Sequence, residues 1–394
     1  MTAPPLRVLL VVGAMNRGGI ETWLMDVARA LDPADVELTF LEHVEEECDF
    51  DAEIRRLGHR VVVCRSPRSP VTYARRLRGI LRHEGPFDAV HSFVSTFSAL
   101  PLAVAAASRV PVRAAHSQTD RRAVLAQSGA ARRAYSRLAS AVLLRVMTVG
   151  VACSDEASLF LFRRAPGPES RVRLVPNGID ITRFRDAPGG LRAELGLPDD
   201  ILLVGHVGRF VPVKNQHLLV EVAREWADRQ DAVHLALVGD GPDRPDVAEA
   251  VVREGLGDRV TLTGARDDIP SVMAALDALV LPSRYEGAPI TLVEAQASGV
   301  PCVVSAAVST ASDIVPGLLH RMPADATAAD WATRVLAVAG APHPSPAEAQ
   351  RVMAGSAWAL PEVLRALREI WSGAPVPEST APGATAASGR GARP

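Results

Sequence analysis

The chain has 394 residues, of which 48% are hydrophobic, so it is long enough for two domains with a core each. A net charge of −2 gives no electrostatic basis for a general nucleic-acid partner. Four scattered cysteines without a C-x-x-C pair argue against a disulfide or zinc framework, and no uninterrupted apolar stretch reaches the about 20 residues of a membrane span.

Short apolar runs alternate with amphipathic stretches, a pattern typical of parallel sheets covered by helices on both faces. Strands are predicted at 7–12, 37–41, 60–64, 89–93, 110–116 and 146–153, and again at 201–208, 233–239, 260–264, 278–282 and 301–305. A Pro- and Gly-rich loop at 174–190 separates the two series. The sequence therefore predicts two doubly wound α/β domains, with ligands bound at the carboxyl ends of the strands in the cleft between them.

The first predicted strand runs into GAMNRGGIE (13–21), where Gly18 and Gly19 precede a helix. A glycine pair at a helix start permits close backbone approach and exposes free N–H groups to an anion. The stretch is neither G-x-G-x-x-G nor a P-loop. A ligand loop and a plain tight turn both remain open on these residues alone.

The acidic run EHVEEECDFDAE (42–53) contains a D-x-D pair, Asp49 and Asp51. Such a pair can hold a divalent metal on a nucleotide sugar in some enzymes. The pair does not directly follow a strong strand, so we predict a surface acidic helix here and no metal site.

Two features of the first predicted domain suggest contact with a substrate or a surface. His116 ends a strand, where a histidine can face the cleft and exchange a proton with a hydroxyl, although a packed histidine would look the same. The stretch 121–138 mixes arginines with apolar residues, which suits either a solvated helix or docking on an anionic lipid surface. Its members are Arg121, Arg122, Arg132, Arg133, Arg137, Val124, Leu125, Ala131, Tyr135 and Leu138.

Lys214 is the single lysine among 43 basic residues. It lies five positions after Arg209, in a loop that follows the first strand of the second domain. Two cations at the carboxyl end of a strand suit a diphosphate, because they neutralise the charge that grows on a leaving group. A lone lysine in a chain that otherwise uses arginine favours a role for the compact ammonium group.

The stretch SRYEGAPITLVE (283–294) places Glu286 in a turn and Glu294 in the second turn of the helix that follows. Pro289 suits the first position of that helix. The free N–H groups around it would point at the same space as both carboxylates. The stretch thus combines an anion-binding helix start with two acceptors for sugar hydroxyls. Two unrelated surface glutamates would explain each residue but not the arrangement.

These motifs together resemble the retaining, nucleotide-sugar-dependent glycosyltransferases of the GT-B fold, in the family 4 group (glycosyl transferases group 1). Bacterial exopolysaccharide and capsule glycosyltransferases are the most similar members. The matching stretches follow the expected order between residues 18 and 305: GGIE (18–21), RAAHSQ (113–118), VPNGID (175–180), GRFVPVKNQ (208–216), LVGDGP (237–242) and the long block 262–305.

The resemblance implies a role for each candidate residue. Glu286 and Glu294 match the E-x7-E motif, with the first near the donor sugar and the second near the nucleotide ribose. Arg209 and Lys214 match the diphosphate pair, and His116 matches an acceptor-side histidine. The implied catalytic set is Glu286, His116, Arg209 and Lys214. The implied donor set is Gly18, Gly19, Arg209, Lys214, Gly264, Asp268, Glu286, Gly287, Ala288, Pro289 and Glu294, with the nucleobase at 264–268.

The implied architecture is α/β GT-B, with two Rossmann-like domains facing a cleft. We predict an acceptor-binding domain at 1–185, a nucleotide-sugar-binding domain at 196–355, a helix crossing back at 356–373 and a disordered tail at 374–394. No metal or other cofactor is expected. The expected partners are a nucleotide-sugar donor and a glycan, lipid-linked or small-molecule acceptor, with an anionic membrane surface as a further candidate. The expected location is the cytoplasm, at the inner face of the membrane if the protein docks there.

The predicted reaction moves a hexosyl unit from a nucleoside diphosphate sugar, with UDP favoured, to an acceptor hydroxyl with retention of configuration. Polysaccharide or glycoconjugate biosynthesis is the expected setting. The alternatives are a natural-product glycosyltransferase, a sugar-phosphate synthase on the same fold and a non-catalytic sugar-nucleotide-binding protein. After Ser305 the chain departs from the family pattern, since AAVSTASDIVPGLLHRMP replaces a Gly-rich, glutamate-containing loop. The donor sugar therefore stays open.

Overall fold

Two parallel β-sheets with flanking helices make up the protein, in a computed structural model that describes residues 4–65, 69–120, 122–167 and 169–374. The first sheet has the order β3-β2-β1-β4-β5-β6-β7. Its strands are β1 (Leu6–Val11), β2 (Val36–Glu42), β3 (Arg60–Val63), β4 (Ala89–Ser92), β5 (Val112–Ser117), β6 (Val149–Ala152) and β7 (Val172–Leu174). The second has the order β10-β9-β8-β11-β12-β13. Its strands are β8 (Leu202–Val207), β9 (Val233–Val238), β10 (Val260–Gly264), β11 (Ala278–Leu281), β12 (Cys302–Ser305) and β13 (Leu319–Met322).

Each sheet together with its covering helices is called a lobe. The helices that follow the strands of the first sheet are α1 (Gly19–Arg29), α2 (Asp51–Arg56), α3 (Pro70–His83), α4 (Ala99–Ala107), α5 (Arg122–Ala126), α6 (Ala130–Val146) and α7 (Asp155–Leu161). The later helices are α8 (Gly190–Glu194), α9 (Gln216–Asp228), α10 (Arg244–Arg253), α11 (Ile269–Ala275), α12 (Ile290–Ala297), α13 (Ala328–Ala339), α14 (Pro346–Ala354) and α15 (Leu360–Trp371). Short 3-10 turns occur at Ser95–Ser98, Ile181–Phe184 and Thr310–Ser312.

Strand β1 shows why the central strands read as continuous apolar runs. Val8 and Leu10 belong to one core of the first lobe, and Leu9 and Val11 belong to the other. Successive side chains of a strand point to opposite faces, so a strand covered on both sides must be apolar throughout. The doubly wound fold predicted from the sequence is confirmed.

The sequence analysis missed one strand in each sheet, β7 and β13. Each is an edge strand, and each is short and carries an arginine, Arg173 in β7 and Arg321 in β13. An edge strand is covered less completely than a central one, so a charged side chain is tolerated there. The apolar run that marked the central strands is therefore missing from these two.

Helix α15 brings the end of the described chain back onto the first lobe, as predicted for a crossing helix. Trp371 Nε1 on this helix donates a hydrogen bond to His91 Nδ1 on β4 at 3.1 Å. The apolar residues of α15 recur at helical spacing and join the same core as β1. They are Leu360, Val363, Leu367, Ile370 and Trp371.

The chain passes between the lobes twice, and the two passages pair with each other. Ile179 N donates to Trp358 O at 2.9 Å, and Leu360 N donates to Ile179 O at 3.0 Å. A Cβ atom at Gly178 would lie 2.5 Å from Trp358 O, so this close approach requires glycine. The two passages therefore form a single paired connection.

Some predictions concern domain limits, or residues that the structure does not describe. The predicted domain limits near 185, 196 and 355 remain predictions. Residues 375–394, which make up most of the predicted disordered tail, and Arg121 lie outside the described residues. Among the helices that are described, none is both long enough and apolar enough to cross a lipid bilayer.

We expect Trp371→Ala to lower the free energy of unfolding by about 3–5 kcal/mol, because it leaves a cavity in the first-lobe core and removes the bond to His91. Urea denaturation followed by circular dichroism measures this. Arg365→Ala on the exposed face of α15 is the control and should change stability by less than about 1 kcal/mol. Equal effects of the two substitutions would contradict the packing of α15 described above.

Candidate functional site

The loops after β8 and β11 meet because these strands are neighbours in the second sheet. Arg284 N donates to Val213 O at 2.8 Å, which ties one loop to the other. This contact brings Lys214 Nζ and Glu286 Oε1 together as an ion pair, with side chains 16% and 17% exposed. The sequence placed both residues at one ligand but did not predict that they touch.

A buried polar network supports the loop that carries Arg209 and Lys214. His206 Nδ1 lies 3.0 Å from Val280 O, while Gln216 Nε2 lies 3.3 Å from His206 Nε2 and donates to Arg209 O at 3.0 Å. Burial lowers the pKa of His206 to about 4, so the ring is neutral and can donate at Nδ1 and accept at Nε2. The network fixes the backbone of the loop and leaves the Arg209 side chain exposed.

The LVGDGP turn packs directly against the same loop. Gly239 has a φ of +134°, and a Cβ atom there would overlap Gly208 O. Phe210 N also donates to Asp240 O at 2.9 Å. Only glycine permits this conformation and this approach together. The turn therefore acts as a backbone support for the Arg209 loop.

The turn that precedes α12 carries the predicted donor residues Glu286, Gly287, Ala288 and Pro289. Pro289 is the N-cap residue, with φ −69° and ψ 124°, so α12 begins one residue later than predicted. Ser309 N donates to Glu286 O at 3.0 Å. The segment after Ser305, where the sequence leaves the family pattern, therefore holds this turn in place through its backbone.

Loops of the first lobe lie against this turn and against the start of α12. A Cβ atom at Gly287 would lie 3.8 Å from Ser154 Oγ and 3.9 Å from Gln118 O. A Cβ atom at Gly19 would lie 3.9 Å from Ile290 Cδ1. The carboxyl ends of the two sheets thus face each other, and the glycine pair at the start of α1 lies beside the start of α12.

Glu21 is a charged residue of this site that the sequence analysis left without a role. Its carboxylate folds back over Gly18, at the N-cap of α1. Burial raises its pKa, while its own backbone N–H and the Arg209 guanidinium act in the opposite direction. Arg209 of the second lobe therefore lies close to the start of α1 in the first. The quoted GGIE motif already contained this residue.

The acidic run at 42–53 is not a surface helix, so that prediction is wrong. Glu42 Oε1 accepts from Met15 N at 2.7 Å, and Asp49 Oδ2 accepts from Arg17 N at 2.9 Å. Helix α2 begins only at Asp51, which is buried together with Glu42. The reason is that Glu42 and Asp49 satisfy free backbone donors of the 13–17 loop, while Asp51 accepts from Cys48 N. The run supports that loop from behind.

Within the described residues, one buried group offers three potential metal ligands: Glu42, Cys48 and Asp51, whose ligand atoms lie within 4.8 Å of one another. Burial raises the pKa of the Cys48 thiol to about 11, and burial also raises the pKa of Glu42. The thiol is therefore protonated at neutral pH in the protein alone, and a metal that bound here would have to displace this proton. Met15 N donates a hydrogen bond to Glu42, so the three residues have a structural role in supporting the 13–17 loop.

His116 lies behind the cleft rather than on its surface. Its side chain is 1% exposed and stacks on His91 at a centroid distance of 5.2 Å, with Trp23 edge-on at 5.5 Å. Neither ring nitrogen meets a hydrogen-bond partner among the described residues. Burial, together with the nearby His91, holds the pKa of His116 well below its usual value, so the ring is neutral.

Glu294 occupies the junction of the two lobes, half-buried on α12. Its pKa is raised to about 7, first by burial and then by the Asp26 carboxylate of α1, while the Arg183 guanidinium counteracts both. Asp26 Oδ1 in turn accepts from Arg183 Nη1 at 3.0 Å and from Arg29 Nη1 at 2.8 Å. The sequence analysis assigned Glu294 to the site but did not identify Asp26 and Arg183 as its neighbours.

The predicted nucleobase loop contains Gly264, whose φ is +78°, and Asp268. The Asp268 carboxylate accepts from Arg266 Nε at 2.8 Å and from Arg266 Nη2 at 2.7 Å, which lowers its pKa. Asp267 forms an ion pair with Arg17 of the first lobe. The loop therefore lies at the cleft, but the Asp268 carboxylate is already hydrogen-bonded to Arg266.

The structure thus places most of the predicted residues around one space between the lobes. Those that gather there are Gly18, Gly19, Arg209, Lys214, Glu286, Gly287, Ala288, Pro289 and Glu294. The ring of His116 is buried behind this space, and Gly264 and Asp268 lie toward its rim. Two cations and two helix starts can neutralise a diphosphate here, and two carboxylates can accept hydroxyl hydrogen bonds.

Two family models match the chain. The model described as glycosyl transferases group 1 matches residues 201–340, and the one described as glycosyl transferase 4-like domain matches residues 18–178. The EpsF protein of Bacillus subtilis (strain 168), named as a glycosyltransferase, is 34% identical over 361 residues, which cover 87% of this chain and 90% of EpsF. A 2-deoxystreptamine glucosyltransferase of Streptomyces kanamyceticus is 33% identical over 54% of this chain and 56% of its own length.

Solved structures share the fold at low sequence identity. The Anabaena protein Alr3699/HepE, solved in complex with UDP and glucose, matches with a TM-score of 0.75 at 20% identity, covering 93% of this chain and 99% of HepE. WaaG, a glycosyltransferase involved in lipopolysaccharide biosynthesis, matches with a TM-score of 0.70 at 16% identity. The match covers 93% of this chain and 100% of WaaG. These matches agree with the two parallel sheets described above.

We expect Glu294→Gln to stabilise the protein at high pH and not at low pH. A carboxyl whose pKa is raised in the folded state stabilises the fold while it is protonated, and that stability is lost as the pH rises through about 7. The gain at pH about 8.5 should reach at most about 3 kcal/mol, since exposure of part of the side chain reduces it. Thermal denaturation between pH about 5 and 8.5 measures the difference.

Glu249→Gln, on the exposed face of α10, is the matched control for this substitution. It removes one carboxylate without touching the lobe junction, so its melting temperature should follow that of the unmodified protein at every pH. Parallel pH profiles for Glu294→Gln and the unmodified protein would show that Glu294 is not held in an unfavourable charged state.

Proposed function

The chain belongs to the glycosyl transferases group 1 family of GT-B glycosyltransferases, and from this we propose that it moves a hexosyl unit from a nucleoside diphosphate sugar to an acceptor hydroxyl with retention of configuration. One observation carries the proposal. Arg209, Lys214 and the start of α12 converge on a single space beside Glu286. This arrangement suits a diphosphate leaving group with a sugar next to it.

The donor diphosphate is proposed to lie between the basic pair and the start of α12. As the bond from the sugar C1 to the phosphate oxygen breaks, Arg209, Lys214 and the free N–H groups of the helix stabilise the negative charge on the leaving group. Lys214 pairs with Glu286 in the structure. Donor binding gives the ammonium group a second anion and lets Glu286 accept bonds from the sugar hydroxyls.

The acceptor is proposed to attack from the face of the sugar that the diphosphate leaves. The acceptor oxygen forms a bond to C1, and its proton passes to an oxygen of the departing phosphate, so atoms and charge balance without a covalent enzyme intermediate. The ring of His116 is buried behind the cleft and its pKa lies well below the usual value, so no proton uptake from the acceptor is assigned to it. No metal is proposed, because protein cations already face the diphosphate.

The substrate class is proposed from the relatives. HepE was solved with UDP and glucose, and EpsF covers nearly the whole chain, so we propose a UDP-hexose donor and an exopolysaccharide or related glycoconjugate product. The similarity to 2-deoxystreptamine glucosyltransferase supports a natural-product acceptor as the second candidate. Release of UDP or GDP from a panel of sugar nucleotides, with and without saccharide acceptors, tests the donor class and separates transfer from binding alone.

A lipid-linked acceptor would require the protein to work at the inner face of the cytoplasmic membrane. Helix α6 supports this proposal, because Tyr135 is 52% exposed and Leu138 is 66% exposed, beside the exposed Arg132 and Arg137. An apolar and basic face of this kind suits anionic headgroups. Sedimentation with phosphatidylglycerol vesicles tests it, and failure to sediment would remove the membrane from the proposal.

We expect the product to keep the anomeric configuration of the donor sugar, because the leaving phosphate is the base proposed for the acceptor proton. Proton NMR of the product made from an α-linked donor should show the small coupling constant of an α-linkage. A β-linked product would contradict the proposed mechanism and would require a separate base on the opposite face of the sugar.

We expect Lys214→Ala to lower the turnover number about 100-fold or more, since it removes a preorganised cation from the leaving group. Lys214→Arg should recover only part of this loss, because a planar guanidinium does not replace a compact ammonium at a tightly packed loop. Steady-state release of the nucleoside diphosphate measures both. Arg253→Ala, an exposed cation on α10, is the control. Unchanged turnover in Lys214→Ala with a native melting curve would refute the assigned role.

A further inference from the structure

Helix α1, helix α12 and the 3-10 turn Ile181–Phe184 converge where the lobes meet. The starts of the two helices are in contact, since Gly19 lies close to Ile290. The 3-10 turn packs against α12 and places Arg183 Nη1 3.0 Å from Asp26 Oδ1 on α1. The turn follows the first passage between the lobes, so this ion pair joins the passage, the first lobe and the vicinity of α12.

Glu294 lies on α12, which packs against the 3-10 turn that carries Arg183. It lies one helical turn after Ile290, on the same side of α12, and Ile290 is the residue that meets the first lobe. The Asp26 side chain is buried and can therefore act strongly on its neighbour. Asp26 raises the pKa of Glu294, and Arg183 opposes that effect.

The other elements packed against α12 add no comparable charge. Strand β12 contributes Cys302, a buried thiol whose pKa is raised so that it is neutral. Helix α11 carries no ionisable side chain, and Glu348 and Arg351 of α14 are exposed to solvent. The charges that act on the pKa of Glu294 are therefore those of Arg183, which lowers it, and Asp26, which raises it.

We propose that Arg183 is a positioning residue for the donor: it favours the ionised form of Glu294 beside Asp26, so that Glu294 can accept hydrogen bonds from the ribose hydroxyls. The proposal rests on the proposed function, because it takes Glu294 to face the ribose. An ionised carboxylate accepts hydrogen bonds at both oxygens, whereas a protonated one loses part of that capacity.

Removing Arg183 takes away the cation that opposes both the burial of Glu294 and its repulsion by Asp26. Burial raises the pKa of Asp26 as well, and the loss of Arg183 adds to that rise. Asp26 still accepts from Arg29 Nη1 at 2.8 Å, which helps it to stay charged. Glu294 would then take up a proton at higher pH than before. The expected defect is therefore confined to the pH range in which Glu294 changes its protonation state.

The test is isothermal titration of UDP-glucose, with GDP-mannose as a second probe, into Arg183→Gln between pH about 5.5 and 8.5. Both probes are diphosphate diesters, whose charge is constant in this range. For the unmodified protein, affinity should rise with pH and level off above about 7. In Arg183→Gln the rise should move to higher pH, with affinity about tenfold lower at pH 7 and a smaller difference at pH 8.5. Arg183→Lys should restore most of the affinity.

Two controls separate charge from structure. Arg185→Gln changes an exposed arginine two residues further along, which meets only Asp186 among the described carboxylates, and should leave the profile unchanged. In a Glu294→Gln background, Arg183→Gln should have little further effect, since the group it supports is gone.

Each outcome decides one claim. A uniform loss of affinity at every pH would assign Arg183 a purely structural role and overturn the inference. A profile identical to that of the unmodified protein would overturn it as well. If the unmodified protein bound neither sugar nucleotide at any pH, the proposed function itself would fail, and the failure would be visible before any variant was examined.

Discussion

Every strand of each sheet runs in the same direction, and this constraint decides where the chemistry can lie. The carboxyl ends of parallel strands share one edge, so the loops after β8 and β11 are neighbours although Lys214 and Glu286 are far apart in the chain. The same rule brings the loops after β1 and β5 to one edge of the first sheet. Placing those two edges face to face creates a site whose charged residues come from separate loops.

The sequence predicted this framework well because strong local patterns encoded it. Continuous apolar runs marked the central strands, and helix starts with glycine or proline marked the loops that carry Gly19 and Glu286. The edge strands β7 and β13 escaped because each is short and an arginine interrupts the few apolar residues it has. The acidic run at 42–53 was misread because a buried carboxylate such as Glu42, bound to Met15 N, has the same local sequence as an exposed one.

The electrostatic neighbours of the site could not be predicted in the same way. Asp26 and Arg183 are distant in the sequence, and each looks like an ordinary helix-surface charge until the lobes are brought together. The two glutamates of the site also differ in a way that their spacing does not reveal. Glu286 is neutralised by the one lysine of the chain, whereas Glu294 is half-buried with a carboxylate and a guanidinium nearby. The two glutamates of the E-x7-E motif therefore lie in different electrostatic environments.

The paired passages between the lobes, joined at Ile179 and Trp358, have a mechanical consequence. A single strand of polypeptide would let one lobe twist, slide or tilt against the other, but two strands bonded side by side resist twisting and sliding. The remaining easy motion is bending about one axis through the pair, close to Gly178. Such a joint would return the carboxyl edges to the same alignment each time the lobes come together, so the alignment would not have to be found anew in every cycle.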